Sequence, residues 1–130
     1  MAIKVLLVDD EKELAAQIAE RLTLRGMNVE TAWDGETAIE FVEQGHAVDV
    51  IVLDVLMPGI NGVDALKAIK RIKPDVGVIL LTGYGDIEAG RRGIAAGAAA
   101  YLIKPTGIDS LAKAIHAAHD GESEAVEQET

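Results

Sequence analysis

The sequence predicts an α/β fold: a doubly wound, five-stranded parallel sheet in the order 2-1-3-4-5, with helices on both faces. Three observations predict it. Short aliphatic runs rich in β-branched residues alternate with segments whose apolar residues recur at helical spacing. The third run, over residues 48–53, is nearly all aliphatic, as a central strand covered on both faces must be. Four of the runs end in polar residues: 3–8 in Asp9-Asp10, 50–53 in Asp54, 78–81 in Thr82 and 101–103 in Lys104-Pro105. Right-handed crossovers would bring all of those ends to one edge of one sheet.

Taken in order, the first strand is expected over 3–8. A helix over about 11–25 follows, with Leu14, Ile18 and Leu22 on one face and Gly26 as its stop. The second strand covers 28–32 and the second helix 34–44, with Ala38, Ile39 and Val42 as its apolar stripe and Asp34 as its N-cap. After the third strand, Met57-Pro58-Gly59 and Asn61-Gly62 make a loop before a helix over 63–72, which Pro74 ends. The fourth strand is expected over 76–81 and the fourth helix over about 87–96. Gly90 and Gly93 each cost that helix about 1 kcal/mol against Ala, so it should be the weakest and most mobile. A fifth strand over about 99–103 and a helix over 108–118, with Leu111 and Ile115 inward, complete five βα units.

At 130 residues the chain makes one domain with a full core, and with one Phe, two Tyr and one Trp that core is aliphatic. No apolar run approaches the ~18–20 residues of a membrane span, and no secretory signal is expected. The absence of cysteine excludes disulfides and thiolate chemistry and fits a cytoplasmic protein. The net charge is −10; residues 120–130 carry five acids and no base, leaving the body at −5. Such a surface repels phosphate backbones, so nucleic acid is not an expected direct partner. The organisation expected is a domain over 1–119 and an acidic, disordered tail over 120–130.

The polar edge carries the chemistry. Asp9, Asp10 and Asp54 offer carboxylates from neighbouring strands, a donor set suited to Mg²⁺ or Mn²⁺. A carboxylate in such a cluster is also a nucleophile toward phosphorus. The charge on a transferred phosphoryl group then needs the metal, a hydroxyl such as Thr82 and a cation such as Lys104. Each residue alone has a plainer role: Asp10 a helix cap, Thr82 a strand-end hydroxyl, Lys104 a solvated cation before proline. Independent capping does not predict all of them in this order.

The run Lys4-Val5-Leu6-Leu7-Val8-Asp9-Asp10-Glu11, then Asp54 with Met57-Pro58-Gly59-Ile60-Asn61-Gly62, then Thr82-Gly83, then Tyr101-Leu102-Ile103-Lys104-Pro105, closely resembles the receiver domain of bacterial two-component response regulators, of the single-domain, chemotaxis-regulator-like kind. The resemblance covers about residues 3–118, and Ala32-Trp33-Asp34-Gly35 is similar to the family's turn after its second strand.

The resemblance implies a flavodoxin-like fold and a phosphoprotein of signal transduction. Asp54 would accept a phosphoryl group from a histidine kinase or histidine phosphotransfer protein. Asp10, Asp54 and the carbonyl of Leu56 would ligate Mg²⁺, with Asp9 acting through a bound water. Thr82 and Lys104 would hold phosphoryl oxygens, and Tyr101 would switch with Thr82. Leu56 and Tyr84 would border the path of hydrolytic water, which makes self-dephosphorylation slow. Output would pass to a protein partner through the face of the fourth helix, fifth strand and fifth helix, from a monomer or a weak phosphorylation-dependent dimer. The Lys104-Pro105 bond is expected to be cis. The sequence departs from the family pattern at Gly97-Ala98-Ala99-Ala100, which lacks the acid often found before the fifth strand.

Alternative readings are a module of a longer DNA-binding regulator or hybrid kinase, and, more remotely, an aspartyl-phosphate phosphatase of the haloacid-dehalogenase type. The phosphatase would need a general acid two residues after the nucleophile, where this chain has Leu56. A flavodoxin-like cofactor binder would need a Ser/Thr/Gly-rich loop after the first strand, where Asp9-Asp10-Glu11 stands. An interaction module without phosphorylation would lack part of the site, which here is complete.

Overall fold

Burial on both faces dictates the strands, and the helices supply that burial. In a computed structural model, which describes residues 2–121 and 127–128, the elements are β1 (Lys4–Val8), α1 (Lys12–Leu24), β2 (Asn28–Ala32), α2 (Gly35–Glu43), β3 (Val50–Asp54), α3 (Gly62–Ile72), β4 (Gly77–Thr82), a 3-10 turn (Tyr84–Asp86), α4 (Ile87–Ala95), β5 (Ala100–Ile103), α5 (Ile108–His119) and β6 (Glu127–Gln128). The strands are all parallel, in the order β2-β1-β3-β4-β5-β6. The five-stranded body, 2-1-3-4-5, is the predicted one.

Within the stretch expected as a disordered tail, Glu127 pairs with Tyr101 and Gln128 with Leu102. The open edge of β5 presents unpaired N–H and C=O groups that an extended segment can satisfy. The rest of that expectation, at 122–126 and 129–130, lies outside the described residues.

Local signals set the helix ends. Asp34 caps α2 by accepting from Thr37 N–H at 2.7 Å, and the Thr37 hydroxyl, with that N–H second, holds its carboxyl below the ordinary value. Asn61, read from sequence only as part of a loop, caps α3 by accepting from Asp64 N–H at 3.0 Å. At the other end of α3, Lys70 Nζ donates to the carbonyls of Pro74 and Val76 at 2.8 and 2.9 Å.

Strand alternation divides the core in two. Leu6, Val8, Ile51, Leu53, Leu80, Tyr101 and Ile103 face α2, α3 and α4. Leu7, Val50, Val52, Ile79, Leu81 and Leu102 face α1 and α5, against Leu22, Leu111 and Ile115. The α4 glycines read differently in three dimensions. Both are buried, and a Cβ on Gly93 would lie 2.0 Å from Leu80 Cδ1, so their small size lets α4 approach the sheet closely.

Candidate functional site

Strand register assembles the site. Val8 pairs with Leu53, which puts Asp9 beside Asp54; Asp54 pairs with Leu81, one residue before Thr82; and Thr82 pairs with Ile103, one residue before Lys104. Every chemically significant strand end therefore falls within a residue of its neighbour's. The cis peptide bond expected at Lys104-Pro105 is present.

Oxygens of Asp9, Asp10 and Asp54 lie within 4.8 Å of one another. Asp9 and Asp54 are buried, and Asp10 is exposed at the mouth. Lys104 Nζ donates to Asp54 Oδ2 at 2.9 Å and stands 3.3 Å from Asp9 Oδ2 and 3.6 Å from Glu11 Oε1. Asp9 Oδ1 accepts from Glu11 N–H at 2.9 Å. Among the described residues, Asp9 Oδ2 has only the 3.3 Å ion pair with Lys104, and the fully buried Thr82 Oγ1 has no hydrogen-bond partner. Buried polar atoms are rarely left so without a functional reason.

Burial pushes the Asp54 carboxyl up to about 6, although the Lys104 hydrogen bond and charge pull it down; the Asp9 charge adds to the rise and the Leu56 N–H opposes it. Crowding of carboxylates alone would suggest repulsion as the main cause, but desolvation leads. Burial by itself would lower the Lys104 ammonium; Asp54 and Asp9 outweigh it and hold Lys104 above its ordinary value.

Leu56 stands at the rim and is 64% exposed. Tyr84 opens the 3-10 turn after β4, and its side chain lies outside the described residues. Tyr101 is buried beneath α4, in the same core compartment as Leu80. Glu11 and Glu36 are contributors that the sequence reading did not single out. Glu11 approaches Lys104, and Glu36 accepts from Ile60 N–H at 3.0 Å in the loop after β3. No local pattern announces the second contact, because its partners stand 24 residues apart.

An all-oxygen set of three converging carboxylates, with one ammonium to offset their charge, fits a hard divalent cation. With the Lys104 ammonium against the carboxylates and the Thr82 hydroxyl at the neighbouring strand end, the arrangement suits a phosphoryl group.

Comparison with known proteins agrees with this geometry. The family model "Response regulator receiver domain" matches residues 5–116. The chain is 41% identical over 102 residues to the transcriptional regulatory protein CpxR of Escherichia coli, covering 78% of this chain and 43% of that protein. It is 37% identical over 109 residues to the probable transcriptional regulatory protein TcrX of Mycobacterium tuberculosis, covering 84% of this chain and 46% of that one. Among solved structures, a response regulator receiver domain protein from Clostridium thermocellum superposes with a TM-score of 0.87 at 35% identity, covering 92% of this chain and 96% of the other. A putative response regulator from Chloroflexus aurantiacus gives 0.85 at 30% identity, covering 92% and 99%. The chain belongs to the receiver-domain family of two-component response regulators. It spans less than half the length of the curated relatives it matches. Among the described residues, no helix is long and apolar enough to cross a membrane.

Proposed function

We propose that Asp54 is the phosphoacceptor of this receiver domain. The observation that carries this reading is a buried carboxylate at the end of the central strand, with Lys104 Nζ 2.9 Å away and Asp9 and Asp10 converging on it. An Asp54 carboxylate oxygen attacks the phosphorus of a phosphohistidine on a histidine kinase or phosphotransfer protein. The P–N bond breaks, its electron pair returns to the imidazole, which takes up a proton, and an acyl phosphate forms on Asp54. Lys104 leaves its ion pair with the carboxylate for the phosphoryl oxygens, and Thr82 Oγ1 donates to another.

Asp10, Asp54 and the Leu56 carbonyl would hold Mg²⁺ or Mn²⁺, with Asp9 behind them. The cation, when bound, neutralises charge on the phosphoryl oxygens. Phosphorylation is read out by a protein partner on the α4–β5–α5 face, through Thr82 and Tyr101. We place the protein in the cytoplasm, in keeping with its cysteine-free sequence. Relatives named as transcriptional regulators support a second reading of output, in which a receiver of this kind controls a DNA-binding region.

Intact-mass measurement after incubation with acetyl phosphate tests the assignment. The parent with Mg²⁺ should gain one phosphoryl group, and Asp54→Ala, or the parent in excess chelator, should gain none. A gain that persists in either overturns it.

A further inference from the structure

We propose that Glu36, in the first turn of α2, is a positioning residue for the metal site. It fixes the loop between β3 and α3 so that the Leu56 carbonyl is held ready. The inference rests on the reading of Leu56 as a ligand given above.

The loop is tied at two places near its start and end. Leu56 N–H meets the Asp54 carboxylate, and Gly62 N–H donates to the Val55 carbonyl at 2.9 Å, closing the loop on itself. Between those ties Leu56, Pro58 and Gly59 are exposed, and Met57 and Ile60 are only partly covered. Packing holds Met57 and Ile60 against the core but leaves the exposed backbone at Pro58 and Gly59 to be restrained by other means.

Glu36 supplies the missing restraint. Its Oε2 accepts from Ile60 N–H at 3.0 Å. Its carboxylate also lies along Gly59, where a Cβ would stand 2.8 and 3.0 Å from the two oxygens. Gly59 has φ +81°, a conformation that side-chain-bearing residues rarely adopt, so the chain turns sharply against the carboxylate. The neighbouring Gly35 leaves room for Ile60 Cγ2, which would lie 2.5 Å from a Cβ there, so the start of α2 and the loop meet without a gap.

Glu36 stands outside the cluster of Asp9, Asp10 and Asp54 and acts through backbone position rather than by ligation. A carbonyl that must be ordered when the cation arrives costs conformational entropy; one already held does not. Glu36 also favours α2 as an acid in its first turn, but that role moves stability without touching metal affinity.

Calorimetric titration of the full chain with Mg²⁺ separates these roles, using the parent, E36A, E36D and E36Q, with D10N as a non-binding control and urea unfolding in chelator for each. E36A and E36D, which cannot reach Ile60, should bind Mg²⁺ roughly five- to tenfold more weakly, at or below the low end of losing an outer-shell partner. E36Q, whose amide oxygen still accepts from Ile60 N–H, should stay within about twofold of the parent. Exchange of the Ile60 amide should quicken in E36A and not in E36Q. E36D and E36Q keep side chains close to the original in size, so they carry the test if E36A folds poorly. Unchanged affinity in E36D and E36A overturns the proposal, and so does a loss in E36Q equal to that in E36A, which would mean that charge acts instead of position. A parent that takes up no Mg²⁺ would refute the metal reading itself.

Discussion

The ring of Tyr101 lies in the space a side chain at Gly90 would need: a Cβ there would stand 2.7 Å from Tyr101 Cδ2 and 2.8 Å from Cγ. A glycine that weakens its helix in isolation thus brings α4 down onto the aromatic ring. Gly90→Ala should gain about 1 kcal/mol of helix propensity and lose about 1–3 kcal/mol to overpacking, for a net destabilisation. Urea unfolding of the variant checks this; an unchanged or higher midpoint would mean that the ring yields freely.

The raised Asp54 carboxyl has a signed consequence for pH. Its value of about 6 lies above the ordinary 3.8, so the folded state holds this proton more tightly than the unfolded state does. That stabilisation is fully present below the ordinary value and is lost as pH rises through about 6. Lys104, also raised, itself titrates only under alkaline conditions, outside that window. In chelator, the parent should therefore lose on the order of 2–3 kcal/mol relative to Asp54→Asn between about pH 4 and pH 7. Mg²⁺ needs the ionised carboxylate, so its affinity should fall as pH drops below about 6. Urea titrations at several pH values, with and without Mg²⁺, read both trends.

If Asp54 carries the phosphoryl group as proposed, Leu56 should bear on the lifetime of the acyl phosphate. Exposed at the rim and apolar, it offers nothing to orient an attacking water. Leu56→Asn, which adds an amide there, should hydrolyse severalfold faster than the parent in a single-turnover decay of the phosphorylated protein. Equal or slower decay would remove Leu56 from the water path.

The α4–β5–α5 face should respond to the phosphoryl state. Thr82 Oγ1 is buried without a hydrogen-bond partner among the described residues, so a phosphoryl oxygen within reach would draw it and open space toward Tyr101. Amide hydrogen exchange with and without beryllofluoride should differ across residues 84–118. Changes confined to the loops around Asp54 would show that Tyr101 is fixed packing.

Much of this was legible in sequence because it is local or periodic. Aliphatic runs gave the strands, Asp34 announced its cap, and the polar strand ends named Asp9, Asp10, Asp54, Thr82 and Lys104 before their register was known. What escaped depends on three-dimensional approach. Gly90 and Gly93 read as weak points until Tyr101 and Leu80 appeared beneath them. Glu36 was not singled out at all, because its partner Ile60 lies 24 residues away across a loop. The leading cause of the Asp54 shift is burial, which the crowding of acids in the sequence does not reveal.

The division of the interior by the sheet has one more consequence. Tyr101 and Leu102 are chain neighbours, yet one belongs to the compartment under α4 and the other to the compartment under α1 and α5. Side chains on the two sides never interleave, so the sheet is a bulkhead between them. A lineage could rework the α1–α5 side to suit one protein and leave the contours on the α4 side intact. Anything that must pass from one side to the other has to travel around the polar edge or along the strands themselves.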